Sequence, residues 1–378
     1  MTTDISSRLL LLYKDSGFAQ LEIGHVLMIC VGLTLLYLAV KKGFEPLLLI
    51  PIGFGAILTN LPGSGIMDLN HGFLGQIYQA GTASEIFPIV MFMCLGALTD
   101  FSPLLANPLT FLLGAAAQAG VFVALVGAVW MGFGLKAACA IGIIGGADGP
   151  TSIYLAGKMA PQYLGAIAVA SYSYMSLVPL IQPPIIKLFT SKEDRSIVMT
   201  TPRTVSQTEK VMLPVVVAIF VGLVLPAAVP LIGMMMFGNF IRESKVVERL
   251  SLSAQNEICN ITTIFLGLTV GATMKAEDFL KADTLKIVAL GLIAFMAGTA
   301  MGVIFGQVMK VLSGGKINPV IGAAGVSAVP MAARTAHLVG QEANPRNFLL
   351  MHAMGPNVAG VIGTAVAASV LLSLAGGV

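Results

Sequence analysis

Of the 378 residues, 56% are hydrophobic and only 10% are charged, against roughly 25% charged in an ordinary soluble domain, which excludes a water-soluble globule. The net charge is only +3, with Lys and Arg in short loops, so nucleic acid is excluded as a partner. The sequence contains neither a G-x-x-x-x-G-K-[ST] loop nor an H-E-x-x-H segment, which excludes ATP hydrolysis by that loop and a zinc-protease centre.

A spanning helix needs about 20 mostly apolar residues. That length predicts an all-α polytopic membrane protein with about eleven spans, at 24–41, 44–60, 84–100, 107–133, 135–158, 162–189, 210–232, 258–274, 282–312, 316–339 and 345–376. The first apolar run, His25 to Val40, has no small-residue cleavage site and is followed by Lys41 and Lys42, so it reads as a retained span. Residues Ile5 to Tyr13 before it suit the membrane interface. Residues 191–209 form one long polar linker, and the alternating charges of 239–257 predict an amphipathic surface helix. The 42 glycines, 20 methionines and single tryptophan fit helices that pack closely through small residues and break in places. Cys30, Cys94, Cys139 and Cys259 each sit alone in an apolar stretch and read as small hydrophobes.

The two halves repeat at an offset of about 180 residues: GIIGGADGP at 142–150 answers GAAGVSAVP at 322–330, and PQYL at 161–164 answers PRNF at 345–348. Each half holds about five spans, and an odd number turns the second repeat upside down in the membrane. The resulting plan is an N-terminal segment with an extra first helix (1–43), a first inverted repeat (44–190), the linker (191–209) and a second repeat (210–378), with one broken helix in each repeat. Grouping Lys136, Lys187, Lys192, Arg195, Arg203 and Lys210 on one side favours, by a small margin, an N-terminus inside and a C-terminus outside.

Asp148 is the only acidic residue between Asp100 and Glu193 and lies in the middle of a predicted span. An ionised group at that depth costs at least about 2.5–3.5 kcal/mol, so it marks a functional site by default. The surrounding GGADGPT cannot continue a regular helix and leaves backbone groups unpaired. Unwound carbonyls beside one carboxylate, with the hydroxyls of Thr151 and Ser152 nearby, are what a hard cation such as sodium requires. The plainer alternative is a protonated Asp that only hydrogen-bonds a helix break. The matching break in the second repeat has Ser327 opposite Ala147 and Ala328 opposite Asp148, so a site there is neutral. Asn318 and Asn357 offer side-chain oxygens near the second break, or act as simple caps. Arg334, just after it, either holds an anionic group or snorkels to the interface. Tyr172 and Tyr174 place phenols in a proline-interrupted span.

Four blocks, GGADGPTSI at 145–153, SYSYMSLVPLIQPP at 171–184, NPVIGAAGVSAVPMAAR at 318–334 and GPNVAG at 355–360, closely resemble the beta subunits of sodium-translocating, biotin-dependent decarboxylases. The resemblance covers nearly the whole chain. It implies that Asp148 lies at one sodium site, that Asn318, Ser327 and Asn357 belong to the sodium and proton pathway, and that Tyr174 and Arg334 contribute catalytic polar functions near it. It also implies a bacterial inner-membrane subunit that decarboxylates carboxybiotin, consumes a proton and exports sodium. The chain has no biotin-attachment segment, so biotin arrives on a carrier protein or domain. The implied partners are a carboxyltransferase alpha subunit, a small membrane gamma or delta subunit and further copies of this chain. The rival reading is an autonomous sodium-coupled symporter or antiporter of inverted-repeat architecture, since fold alone does not separate the two. A purely structural membrane scaffold would leave Asp148→Asn silent.

Overall fold

A computed structural model describes residues 13, 14, 16–327 and 330–376. Ala328 and residues 5–12 of the expected interfacial segment lie outside the described residues. Every regular element among the described residues is a helix. Six are long and apolar enough to cross a membrane: Ile23–Lys42, Pro108–Trp130, Pro161–Phe189, Gln207–Val224, Ala282–Leu312 and Leu350–Leu374. A seventh results if Phe73–Ala83 and Ile86–Leu98, bent by 60°, count as one span, while Pro46–Thr59 and Leu135–Gly146 are shorter apolar helices.

Two stretches expected to cross instead turn back. The first enters as Leu135–Gly142 and a 3-10 turn, Ile143–Gly146, breaks at Ala147 and Asp148, and leaves as Gly149–Met159. Its two ends meet, because the rings of Phe133 and Tyr163 pack edge to face with centroids 5.6 Å apart. The second runs through the 3-10 segment Pro319–Val326 to Ser327, and leaves as Met331–Ala343. Its ends also meet: Asn318 and Asn347 both donate to the carbonyl of Arg195, at 3.1 and 2.9 Å. The glycines and prolines of the two repeat motifs therefore make re-entrant hairpins rather than kinks in continuous spans.

The hairpins enter from opposite ends of the bundle. Helix Leu164–Phe189 starts beside Tyr163, at the mouth of the first hairpin, and ends at Thr190, just before the linker that holds the mouth of the second. Helix Ala282–Leu312 makes the same passage: Asp283 accepts from Tyr163 (3.1 Å), and near the far end Lys310 and Gln307 bond Asp194 of the linker (2.5 and 2.8 Å).

Two further expectations need correction. Lys136 lines a cavity with Tyr163 and Asp283 at one end, whereas Lys187 lies in the last turn of Leu164–Phe189 at the other, so the grouping behind the N-inside, C-outside assignment fails. Gly24 lies against Ala276, and Ala375 lines the cavity with Asp283, so the first described helix starts and the last one ends on the same side. The 239–257 stretch is not a surface helix throughout, because its start belongs to Met234–Ser244, which runs along Ile86–Leu98 in backbone contact. A Cβ on Gly96 would stand 1.8 Å from the Met235 carbonyl oxygen, and one on Gly238 would stand 1.9 Å from that of Met93. Asn239 is buried there and donates to the carbonyls of Gly96 (3.2 Å) and Thr99 (2.9 Å).

Such close approach is how helices associate in lipid, where apolar burial between helices gains little and small residues allow tight packing. It recurs where Gly55 and Gly271 bring Pro46–Thr59 against Cys259–Ala272, with would-be Cβ distances of 2.2 and 2.0 Å to opposing carbonyl oxygens. Cys94 and Cys259, isolated in sequence, come together as thiol neighbours.

Candidate functional site

The tip of the first hairpin is a polar cluster within the buried interior. Ala147 adopts the left-handed conformation (φ 43°, ψ 47°), which costs a residue with a side chain roughly 1–2 kcal/mol and marks a site held in place by its surroundings. Asp148 then caps Gly149–Met159, one carboxylate oxygen accepting from the Thr151 amide at 3.3 Å. Ser152 donates to the Asp148 carbonyl at 2.8 Å, and Ser171 of helix Leu164–Phe189 donates to Ser152 at 2.9 Å. Tyr172 presses on the same peptide, its hydroxyl 2.3 Å from where a Cβ on Gly149 would stand. Only glycine fits there.

Asp148, Thr151 and Tyr172 are all fully buried, and three of their oxygens, Asp148 Oδ2, Thr151 Oγ1 and Tyr172 OH, have no hydrogen-bond partner among the described residues. Leaving a buried polar group unmatched costs about 1–3 kcal/mol. All three are hard oxygen donors, one of them on a carboxylate, the ligand type that a hard cation takes. No cluster of three or more His, Cys, Asp or Glu suited to a metal occurs among the described residues.

Helix Leu350–Leu374 passes both hairpin tips. The one hydroxyl proton of Thr364 has three acceptors within reach, the carbonyls of Gly360 (2.9 Å) and Gly146 (3.4 Å) and Gln118 Oε1 (3.2 Å), while Gln118 donates to Gly360 at 3.2 Å. Seven residues before Thr364, Asn357 donates to the carbonyls of Ala324 (3.2 Å) and Ser327 at the second tip. The helix thus holds both breaks in the middle of the bundle.

Of the residues expected to form the site, Asp148 is at the first tip, and Ser327 and Asn357 are together at the second. Asn318 lies at the second hairpin's mouth, where Nδ2 ties down the linker carbonyls of Arg195 and Ile197 and Oδ1 accepts from Val320. Tyr174 sends its hydroxyl to the Val288 carbonyl, with its ring against Gly291. It stands about 200° around the helix from Tyr172, so the phenol beside Asp148 is that of Tyr172. Arg334 is exposed and forms no side-chain hydrogen bond or ion pair among the described residues. Ser171, Gln118 and Thr364 escaped the sequence reading, although polar side chains within apolar spans are themselves a signal.

A helical bundle in which two re-entrant hairpins enter from opposite ends, one of them carrying a buried carboxylate with unmatched oxygens beside it, has the build of a multi-pass, cation-translocating membrane protein. Residues 24–375 match the family described as Na+-transporting oxaloacetate decarboxylase beta subunit, and the chain belongs to that family. It is 62% identical to the glutaconyl-CoA decarboxylase subunit beta of Acidaminococcus fermentans and 59% identical to the methylmalonyl-CoA decarboxylase subunit beta of Veillonella parvula, each over 96% of both chains. It is 50% identical to the oxaloacetate decarboxylase beta chain of Klebsiella pneumoniae, over 96% of this chain and 97% of the relative. It is accordingly a decarboxylase beta subunit that couples decarboxylation to sodium transport.

Proposed function

We propose that the chain decarboxylates carboxybiotin presented by a partner subunit, consumes a proton in doing so, and exports sodium across the bacterial inner membrane through the site at Asp148. The observation that carries this reading is the trio of buried, unmatched oxygens on Asp148, Thr151 and Tyr172. Sodium is the cargo. One buried carboxylate does not readily hold a proton and a sodium ion together, so sodium binding at Asp148 releases or blocks the proton and links the two flows. Carboxybiotin supplies the exergonic loss of CO2. Arg334, exposed on the second hairpin, is the residue positioned to meet the anionic carboxyl group, and Ser327, Asn357 and Asn318 extend the polar path from the second tip to its mouth. Tyr174 supports this path through the helix that carries Tyr172.

The two halves, 44–190 and 210–378 around the 191–209 linker, act as inverted repeats within an eleven-segment plan. In support, each contributes one hairpin, and the hairpins enter from opposite ends, as alternating access around a fixed site requires. The end that carries Lys187, Lys192, Arg195, Arg203 and Lys310 is richer in cations than the end with Lys136, Lys158 and Lys286, so by the positive-inside rule it faces the cytoplasm. The carboxyltransferase alpha subunit, the biotin carrier and a small gamma or delta subunit complete the enzyme, with further copies of this chain.

The test is sodium-titrated decarboxylation by the chain reconstituted with its biotinyl partner, comparing wild type with Asp148→Asn. Sodium-stimulated decarboxylation that is lost in the variant is the expected result. An Asn variant with full sodium stimulation removes the site, and sodium flux without any decarboxylation or partner favours the autonomous transporter.

A further inference from the structure

Gln182 is fully buried, near the end of helix Leu164–Phe189 that lies toward the second hairpin. Its Nε2 donates to the carbonyl of Ala323, within the 3-10 segment of that hairpin, at 3.0 Å. Its Oε1 is buried and has no hydrogen-bond partner among the described residues. Gln118, another buried glutamine, donates to Gly360 and has a hydroxyl, that of Thr364, within hydrogen-bond distance of its oxygen. The contrast matters because an amide that served only as an anchor would pair its oxygen too, or turn it to water.

The helix is also irregular around Gln182. Pro183 and Pro184 lie inside the same helix, and a proline has no N–H to give to the carbonyl four residues earlier. The carbonyls of Pro179 and Leu180 therefore lose their helical donors within one turn of Gln182. The second hairpin's one acid among its described residues, Glu342, lies at the exposed mouth and pairs with Lys187 at 2.8 Å, so a cation near the tip must be held by neutral oxygens.

We propose that Gln182 Oε1 is a ligand for sodium when the ion is at the second hairpin, and that its Nε2 bond to Ala323 holds the amide turned for that contact. The inference rests on the reading of this chain as a sodium pump and adds a ligand on a helix outside both hairpins. Because Gln182 and Tyr172 belong to the same helix, that helix presents an oxygen to each hairpin in turn. An ion passing between the two tips keeps contact with one rigid element.

The experiment uses the enzyme reconstituted with its biotinyl partner and reads two quantities: the sodium concentration giving half-maximal decarboxylation, and the thermal shift that sodium chloride produces in detergent. Gln182→Met keeps the volume but removes the oxygen. It is expected to raise half-saturating sodium by about tenfold, the loss of roughly one oxygen contact, and to reduce the sodium-induced thermal shift, with less effect on the rate at saturating sodium. Gln182→Glu regains near-wild-type half-saturation at acid pH, where the protonated carboxyl both donates to Ala323 and offers an oxygen, and departs from it as pH rises. If both variants bind sodium as wild type does and lose only rate or stability, Gln182 is an anchor and the inference is overturned. Should Gln182→Met not fold, the pH response of Gln182→Glu decides, a response without pH dependence overturning the inference. Asp148→Asn in the same assay separates the two levels: an unchanged sodium response there defeats the pump-site reading itself, whereas its loss beside an unaltered Gln182→Met response defeats only the present inference.

Discussion

Substituting alanine for Gly360 would place a methyl carbon 2.2 Å from the carbonyl oxygen of Gly325, 3.0 Å from its carbonyl carbon and 3.4 Å from its Cα. All three atoms are backbone, so no rotamer change relieves the clash. Ordinary contact begins near 3.4 Å, and the second hairpin or helix Leu350–Leu374 must shift by about 1 Å. Overpacking of this kind costs typically 1–3 kcal/mol. The functional effect is larger, because the shift separates Asn357 from Ala324 and Ser327 and disturbs the Thr364 contact with Gly146; a displacement of about 1 Å at a positioned site can lower a rate roughly a hundredfold. Gly157→Ala is the matched control, since its Cβ would find only the Thr82 carbonyl oxygen, at 4.0 Å. Sodium-dependent decarboxylation and detergent thermal unfolding are measured on both. The expected result is a control like wild type and a Gly360→Ala enzyme that is moderately destabilised and severely slowed. A Gly360→Ala enzyme with normal rate and sodium response would show that the two elements do not need this register, and the packing argument fails.

Tyr172→Phe, which removes one of the three unmatched oxygens beside Asp148, is expected to raise half-saturating sodium by about tenfold, whereas Tyr174→Phe, which loses only the bond to Val288, should change maximal rate more than sodium response; the opposite ranking refutes the assignment. Burial alone would raise the Asp194 carboxyl, but hydrogen bonds from Lys310, Gln307 and the Ser191 amide outweigh it and lower its pKa to about 2. A depressed pKa stabilises the fold above the ordinary value of 3.8 and is lost as pH falls toward 2, so Asp194→Asn should cost at most about 2 kcal/mol at pH 7 and progressively less in acid, as read by thermal unfolding at pH 7 and pH 3. A difference that stays constant over this range rules out the electrostatic account. Lys192→Cys and Lys136→Cys, tested with a membrane-impermeant thiol reagent on intact cells, should label only at Lys136→Cys, and labelling of Lys192→Cys reverses the proposed orientation.

What the sequence made legible was the chemistry of single residues. Asp148 stands out because a lone acid in the 92 positions between Asp100 and Glu193 has no other inexpensive explanation, and the GGADGP break is readable because glycine and proline punctuate the backbone whatever surrounds them. The partner of Asp148 was less accessible. Tyr172 and Tyr174 differ only in which side of one helix they occupy, and nothing in SYSYMSLVP tells which side meets the hairpin tip. Thr364 and Gln118 are separated by 246 residues, and their meeting is a property of the packed bundle. The position of Asn318 is instructive in another way: its cap geometry followed from the Asn-Pro pair, but its role in holding the linker depended on a loop that comes more than 100 residues earlier.

The hairpins were missed for a physical reason. A helix crosses the roughly 30 Å apolar core with about 20 residues at about 1.5 Å each, and the 135–158 segment satisfies that length test. Folded in two at Asp148, each arm has about a dozen residues and reaches about 18 Å, enough to bring the tip to the middle of the membrane and return. Hydropathy counts the same residues in both arrangements, so it does not separate them. The break does: a continuous span would leave the unpaired backbone of GGADGP facing whatever helix lay alongside, whereas a tip is gathered in by specific partners, here Ser171 and Thr364. Two such tips, entering from opposite ends and tied to one helix through Thr364 and Asn357, are the arrangement that the proposed alternating access needs. A single kinked span does not provide it, because its two halves are anchored on opposite surfaces and neither opens without moving the other.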